Sequence, residues 1–215
     1  RGYPSATRAM LRPKDLLKLW SDLEGNGFSL PAVEFYGHSH GPHRCFSNFY
    51  EHAPFAFSLP EFCGRAELEA SGRSAVTSVT FTEKAIMLCK AAVMGDLASY
   101  DAIARAQTPG AAKSLGRKVG PWSQPRWDQV VLEVAREVAV QKFRAAPGLA
   151  AVLHSTGNRA IAEMTSNDRN WGTGVDMGQG AASDPARWRG TNILGWALMV
   201  ARAQLARDDE AAEQD

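Results

Sequence analysis

The sequence predicts an α+β fold that is mostly helical, in which several helices pack around a small, largely antiparallel sheet. Three short segments, near residues 33–36, 55–57 and 76–81, either alternate apolar with polar or small residues or are rich in Val, Thr and Phe, as strands are. Longer segments repeat apolar residues every three or four positions, and the clearest of them, residues 126–144, predicts a long amphipathic helix.

The chain is predicted to contain one main domain with a short addition at each end. Residues 1–32 form an N-terminal extension, residues 33–206 form the main domain, and residues 207–215 form an acidic, disordered tail. The extension is expected to carry a short docking helix at residues 13–24. Its apolar residues share one face: Leu16, Leu19, Trp20 and Leu23.

Two further helices of the main domain are predicted from their ends. Thr108 suits a helix cap, Pro109 suits the first turn, and Gly116 suits the end of the same short helix. The last helix is expected to run from Asn192 to about Leu205.

The composition excludes several classes of protein. Lys and Arg total 24 against 23 Asp and Glu, so the chain lacks the overall positive field of a dedicated duplex-binding protein. Three cysteines without a CxxC pair argue against a disulfide framework and a thiolate zinc site. No apolar run of about 18 residues is present. We therefore expect an intracellular, cytoplasmic or nuclear protein with no membrane contact, no cofactor and no obligate protein partner.

A candidate active face lies on the helix predicted for residues 80–94. Glu83, Met87 and Lys90 fall on one stripe of that helix, with Glu83 and Lys90 nearly in line and roughly 10 Å apart along the axis. Partial burial there would lower the pKa of the lysine and raise that of the carboxyl group. The alternative is structural: Thr80 and Glu83 match a capping box, and Lys90 lays its methylenes on the core.

Two groups of residues between the first two predicted strands differ in character. His38, His40 and His43 lie in a Gly- and Pro-containing loop where no nearby Asp, Glu or Cys completes a set of ligands, so we expect no metal site there. The following residues alternate aromatic and small polar side chains, which can stack on and hydrogen-bond to a planar ligand. They are Phe46, Ser47, Asn48 and Phe49.

The second polar cluster, residues 162–178, is dense in Gly, Asn and Asp and is predicted to be a loop. It carries Glu163, Asp168 and Trp171, and a carboxylate beside an indole suits the wall of a ring-binding pocket. The alternative is that Trp171 plugs the edge of the core while Asp168 closes an Asx turn.

Six segments, in this order, resemble the NADAR superfamily, also called YbiA-like, and the resemblance covers about Phe35 to about Leu205. They are FYGHSHGPHRCFSNFYEHAPF, TEKAIMLCKA, TPGAAKSLGRKV, EVAVQKFRAAPGLAAVLHSTG, AEMTSNDRNWGTG and GTNILGWALM. The resemblance implies a YbiA-like fold and chemistry at N-glycosidic bonds. Some members resemble riboflavin-pathway N-glycosidases, and others look like hydrolases that remove ADP-ribose from guanine bases.

Transferred residue by residue, the family's helix-opening carboxylate falls on Glu83 and its lysine on Lys90, and Asp168 is the third catalytic candidate. The substrate-binding candidates are Phe46, Ser47, Asn48, Phe49, Gly116, Arg117, Trp122, Glu163, Trp171 and Gly172. Residues 179–190 look like an insertion relative to compact members, which either forms a lid or is inert.

The resemblance implies a mechanism in which Lys90 attacks ribose C1 and forms a Schiff-base-type intermediate, while Glu83 moves protons. Asp168 or Glu163 would orient a ribose hydroxyl or water, aromatic side chains would stack on the base, and Arg117 would meet the phosphates. The expected substrate is ADP-ribosylated guanine, as a nucleoside, nucleotide or nucleic acid, because the residues between Glu83 and Lys90 depart from the bacterial pattern. The alternatives are a ribosylamino-pyrimidine of riboflavin biosynthesis and a non-catalytic ADP-ribose-binding module.

Overall fold

A computed structural model describes residues 15–16, 27–178, 180 and 184–212. In these ranges seven α-helices and four short β-strands are present. The helices are α1 (Arg65–Ala70), α2 (Thr82–Met94), α3 (Leu97–Ala104), α4 (Pro109–Gly116), α5 (Gln124–Ala145), α6 (Pro147–His154) and α7 (Ile193–Ala212). The strands are β1 (Ser29–Phe35), β2 (Phe55–Ser58), β3 (Val76–Val79) and β4 (Arg159–Glu163). The predicted class, α+β and mostly helical, is confirmed.

The strands form two separate pairs rather than one largely antiparallel sheet. β2 and β3 are antiparallel, with Phe55 opposite Val79. β1 instead pairs in parallel with β4, with Phe35 opposite Glu163. β4 itself was not predicted, and Glu163 was placed in a loop. The strand escapes detection because its three central residues are all buried, so the alternation of a half-exposed strand is missing.

Helix α2 lies at the centre of the helical layer and packs against α3, α4 and α5. Its approach to α4 is close because Gly116 has no side chain: a Cβ there would lie 1.9 Å from Sδ of Met87. Helix α5 packs along α7, and α7 covers β4. These contacts place the start of α2, the end of α4 and the end of β4 around one point of the molecule.

The two predicted additions have different outcomes. The docking helix predicted for residues 13–24 lies outside the described residues, except for residues 15 and 16, of which Leu16 is fully buried. The prediction of a disordered tail is wrong for residues 207–212, because α7 continues to Ala212. An ion pair between Arg144 and Asp208, with Nη2 and Oδ2 2.5 Å apart, ties this last part of α7 to α5.

The inserted segment, residues 179–190, is described only in part. Residues 185–187 form a short 3-10 turn, and the adjacent Trp188 is buried. The backbone amides of Arg189 and Gly190 both donate to the carbonyl oxygen of Thr173. This part of the segment therefore packs against the polar loop that follows β4.

Among the described helices, none combines the length and the apolar character that a membrane-spanning helix needs.

Candidate active site

A cavity of about 200 Å³ opens between α2, α4, the 47–49 segment and the loop after β4. Its lining contains three carboxyl groups, three cationic groups and two aromatic rings. The lining residues are Ser47, Asn48, Phe49, Glu83, Ile86, Met87, Lys90, Lys113, Arg117, Glu163, Asp168 and Trp171. The cavity therefore brings together side chains that are up to 124 positions apart in the chain, from Ser47 to Trp171.

Most of the residues proposed from the sequence lie on this lining, including the three catalytic candidates Glu83, Lys90 and Asp168. Four of the proposed substrate-binding residues do not. They are Phe46, Gly116, Trp122 and Gly172.

Phe46 belongs to the core and not to the cavity. Only 1% of its surface is exposed, and its ring packs edge-on against Phe35, with centroids 5.6 Å apart, and against Phe143. His43 stacks on the same ring. The local sequence could not show this, because it does not reveal that the Phe46 ring meets Phe143, a residue of the distant helix α5. Phe46 is therefore withdrawn as a stacking residue.

The two glycines act through close packing. Gly116 sets the approach of α4 to α2, and a Cβ on Gly172 would lie 2.6 Å from the Thr165 methyl group and 3.0 Å from the carbonyl oxygen of Glu163. Both positions shape the walls of the cavity without offering a side chain to a ligand.

Three lining residues were not proposed from the sequence: Ile86, Met87 and Lys113. Lys113 is the most informative of them. Lys113 lies on α4 and Arg117 lies just after the end of α4, four residues further along the chain. The helical period therefore places both cations on one face. That spacing is the signal that would have found Lys113.

Lys142 anchors residues 45–49, which we call the entry segment. The ammonium group of Lys142, which is 2% exposed, donates to the carbonyl oxygens of Cys45 at 2.5 Å and Ser47 at 3.2 Å. Burial lowers the pKa of Lys142 to about 8, although the nearby Cys45 opposes the shift. The segment is thus anchored by a cation that itself does not reach the cavity.

Asn48 joins the entry segment to the start of α2. Its carbonyl oxygen accepts from the Glu83 amide at 2.9 Å, and its side-chain Oδ1 accepts from the Thr82 hydroxyl at 2.9 Å. The capping-box interpretation of Thr80 and Glu83 is wrong, because the cap residue is Phe81 and no side chain caps the helix. The Glu83 carboxyl group is therefore left for the cavity.

Glu83 is only 6% exposed, and burial is the main reason why its pKa is raised to about 7. Lys113 lowers the pKa, Asp168 raises it, and Arg117 and Lys90 lower it by smaller amounts. Burial wins over all three cations, so this carboxyl group is substantially protonated near neutral pH.

Lys90 has the opposite shift. Its pKa is lowered, first by burial and further by Arg117, while Glu83 acts to raise it. Its ammonium group lies 4.4 Å from the centroid of the exposed Trp122 ring. Trp122 thus contacts the Lys90 amine without lining the cavity.

Glu163 ends β4, and its backbone is held on both sides. Its amide donates to Oδ1 of Asn192 at 3.0 Å, and its carbonyl oxygen accepts from the Thr173 amide at 2.8 Å. Burial raises the pKa of its carboxyl group to about 8, and the charges of Asp168 and Glu83 add to the rise, whereas Lys113 opposes it.

Asp168 satisfies both interpretations offered for it. Its Oδ1 accepts from the amides of Asn170 and Trp171, each at 2.9 Å, which is an Asx turn. The same side chain lines the cavity. The turn therefore fixes the carboxylate in place beside Trp171.

Among the described residues, no group of three or more His, Cys, Asp and Glu side chains is arranged to hold a metal ion. Of the three loop histidines, His38 lies against Phe49, with ring centroids 5.8 Å apart, and His43 stacks on Phe46.

A cavity that pairs a carboxyl group of raised pKa with an amine of lowered pKa suits acid and nucleophile chemistry on one substrate. A family model described as the NADAR domain matches residues 34–206. The chain belongs to the NADAR family. Several curated proteins that are similar in sequence to this NADAR chain are named N-glycosidases, so glycosidase activity is a property of the family.

Three matches show the range of the family. An N-glycosidase of Acanthamoeba polyphaga mimivirus is 31% identical over 122 residues, which are 57% of this chain and 72% of the relative. A protein of Vibrio vulnificus named as a riboflavin biosynthesis protein is 29% identical over 110 residues, 51% of this chain but 27% of that protein. The NMR structure of the Escherichia coli protein YbiA has a TM-score of 0.59 at 22% identity, covering 85% of this chain and 90% of YbiA, and shows the same fold.

Proposed function

We propose that this NADAR protein hydrolyses an N-glycosidic bond between ribose C1 and a base nitrogen, and that it removes ADP-ribose from ADP-ribosylated guanine. The observation that supports the reaction is the pair of opposite pKa shifts in one cavity: the amine of Lys90 becomes easier to deprotonate, while the carboxyl group of Glu83 becomes harder to ionise. Both shifts are in the direction that the reaction requires, toward a neutral amine and a protonated carboxyl group.

In the proposed first step, the neutral amine of Lys90 forms a bond to ribose C1 as the bond from C1 to the base nitrogen breaks. Glu83 gives its proton to the leaving base and becomes a carboxylate. The cationic amine then loses a proton to Glu83, the ring oxygen takes up that proton, and the opened sugar is held as an imine on Lys90. Water adds to the carbon of the protonated imine and one of its protons returns to Glu83; the sugar then leaves as its aldehyde, and the neutral amine of Lys90 is regenerated.

The other lining residues have supporting roles in this proposal. Asp168 and Glu163 orient a ribose hydroxyl or the attacking water, and the rings of Phe49 and Trp171 offer faces on which a base stacks. Arg117 and Lys113 supply the positive charge that phosphate oxygens require.

The first test uses the intact protein with two substrates, ADP-ribosylated guanosine and the riboflavin-pathway ribosylamine, and measures the released base and sugar by chromatography and mass spectrometry. Lys90→Met and Glu83→Gln are compared with Lys118→Met and Glu67→Gln, whose parent residues are exposed and lie outside the cavity lining. We expect loss of turnover in the first pair only. Full activity of both cavity variants would refute the assignment.

Borohydride reduction during turnover tests the imine separately. We expect a sugar adduct on Lys90 in the wild-type protein and its absence in Lys90→Met. Normal turnover without an adduct would favour direct attack by water.

The second candidate substrate is the ribosylamino-pyrimidine, and the name of the Vibrio vulnificus relative favours it. A ratio of kcat/KM above one for this compound over ADP-ribosylated guanosine would select it. Tight binding of ADP-ribose in calorimetry, together with no turnover of either compound, would instead identify a binding module.

A further inference from the structure

Asn192 is a buried residue with an unusual backbone conformation, and it lies behind the cavity. It is fully buried, and its φ angle is +52°, the single positive value for a residue other than glycine in the described part of the chain. Asparagine tolerates this conformation better than most residues, but it is still uncommon. Such a conformation persists where the surrounding contacts require it.

The side chain of Asn192 takes the place of a neighbouring strand at the edge of β4. Its Oδ1 accepts from the Glu163 amide at 3.0 Å, and its Nδ2 donates to the carbonyl oxygen of Ile161 at 2.9 Å. Residues i and i+2 of a strand point these groups to the same side, and the other edge of β4 is already paired with β1. One side-chain amide thus satisfies the Ile161 carbonyl oxygen and the Glu163 amide, while the Glu163 carbonyl oxygen accepts from the Thr173 amide.

The backbone of Asn192 connects two further elements. Its amide donates to the carbonyl oxygen of Gly172 at 3.0 Å, in the loop that carries Asp168 and Trp171. Its carbonyl oxygen accepts from the Trp196 amide at 3.0 Å, in the first turn of α7. The residue is therefore a junction between the strand, the loop and the helix.

Two glycine contacts show that this junction has little freedom. A Cβ on Gly195 would lie 2.1 Å from the carbonyl oxygen of Ile161, and one on Gly190 would lie 2.4 Å from that of Gly172. Backbone packs directly on backbone here. A shift of α7 toward β4 therefore cannot supply the hydrogen bonds that Asn192 makes.

We propose that Asn192 is a positioning residue, which acts on the reaction by holding the last residue of β4 so that the Glu163 carboxyl group faces the cavity. This inference rests on the proposed function for the part that Glu163 takes in the reaction. Asn192 itself is not on the cavity lining and does not touch the substrate.

The test variant is Asn192→Gly, because glycine accepts the positive φ angle and removes only the side-chain amide. The matched control is Asn158→Gly, at the opposite end of β4, where the asparagine side chain accepts from the exposed Ser29 hydroxyl. We expect Asn192→Gly to lower kcat by about 10- to 100-fold with KM changed less than about threefold, whereas Asn158→Gly changes neither.

Two readouts separate positioning from a loss of stability. The limb of the pH profile that disappears in Glu163→Gln is expected to move to lower pH in Asn192→Gly, because a carboxyl group released from its place becomes better hydrated. In a Glu163→Gln background, Asn192→Gly is expected to add little to the loss of kcat. An unmoved limb, or an equal loss of kcat in both backgrounds, would overturn the proposal.

The same inference is testable if the protein turns over neither substrate. Carboxyl ¹³C NMR follows the titration of Glu163 directly, and its midpoint is expected to fall in Asn192→Gly and to stay unchanged in Asn158→Gly. An unchanged midpoint in the first variant refutes positioning, whereas absence of turnover with a shifted midpoint refutes only the proposed function. If Asn192→Gly does not fold, hydrogen exchange on the wild-type protein decides: the Glu163 amide is expected to exchange as slowly as the interior amides of β4, and exchange more than about 100-fold faster contradicts its bond to Asn192.

Discussion

Glu83 and Glu163 line one cavity from two of its walls, one on a helix and one on a strand, and burial raises the pKa of both. Glu83 stands in the first turn of α2, where a helix N-terminus stabilises a carboxylate by about 0.3–1 kcal/mol. Its pKa is nevertheless raised to about 7, so burial outweighs the helix dipole as well as three cations. Glu163 stands at the end of a strand and is held by Asn192, 29 positions away in the chain.

The difference between the two walls lies in their charges. Lys113, Arg117 and Lys90 all act to lower the pKa of Glu83, whereas Lys113 is the cation that opposes the rise at Glu163. Consistent with this, the pKa of Glu163 is the higher of the two, at about 8. One cavity therefore contains a carboxyl group that releases its proton near neutral pH and another that keeps its proton to a higher pH.

The largest expected effect separates the two carboxyl groups by activity. Glu83→Gln is expected to lower kcat by about 10²- to 10⁴-fold, because it removes the proton donor to the leaving base. Glu163→Gln is expected to cost less, about 10- to 100-fold, because glutamine still orients a hydroxyl or water. Steady-state kinetics at pH 7 measure both values. Equal losses of kcat in the two variants would show that Glu83 and Glu163 do not have these different roles.

The next effect is on stability, in the opposite direction. Because the folded-state pKa of Glu83 is raised from 4.5 to about 7, the folded protein holds more protons than the unfolded chain between these values, and stability falls as pH rises through them. Glu83→Gln removes the Glu83 part of this dependence, while the part due to Glu163 remains, and the variant is expected to be more stable than wild type at pH 8 by on the order of 1–3 kcal/mol. Urea unfolding from pH 5 to pH 8 measures the difference.

The control for that experiment is the more alkaline range. The folded-state pKa of Lys142 is lowered from 10.5 to about 8, so its contribution has the opposite sign, and stability rises between these values as the unfolded chain loses its extra proton. This rise is expected in both wild type and Glu83→Gln. Burial raises the pKa of Cys45, Cys89 and Tyr100, which lowers stability at alkaline pH, so the Lys142 contribution is measured as the difference between wild type and Lys142→Met. The same pH dependence of both proteins between pH 8 and pH 10.5 would contradict the buried position of Lys142.

A smaller effect tests the cation that the two carboxyl groups share. Lys113 lowers the pKa of Glu83 and of Glu163, so Lys113→Met is expected to raise both. Carboxyl ¹³C NMR titration measures the two midpoints, and Lys118→Met is the matched control. A rise in the pKa of Glu83 alone would mean that Lys113 does not act on Glu163.

The smallest effect is expected at Trp122. The ring face favours the charged form of Lys90 by about 0.5–1 kcal/mol, so Trp122→Leu is expected to lower the pKa of the amine. The acid limb of the activity profile should then move to lower pH by less than about one unit. Trp127→Leu is not a suitable control because Trp127 is in the core; Phe62→Leu, at an exposed ring elsewhere, is preferable. A shift to higher pH would contradict the cation–π contact.

What the sequence reveals here depends on the range of the interactions. Helix α5, helix α4 and the pairing of Glu83 with Lys90 follow from patterns within about 20 residues, and these were predicted. Strand β4 and its bonds to the Asn192 side chain depend on partners 29 or more positions away, and no local pattern reports them. Phe46 shows the same limit, because an aromatic residue beside polar neighbours looks like a ligand contact until its core partners are known.

Gly116 affects the size of the ligand that the cavity accepts. A methyl group at this position would overlap the Met87 side chain, which is flexible and borders the cavity. The methionine would therefore have to turn, and the free space beside it would shrink while every charged group stayed in place. A single position that no ligand touches thus offers a way to narrow the range of molecules accepted, independently of the chemistry applied to them.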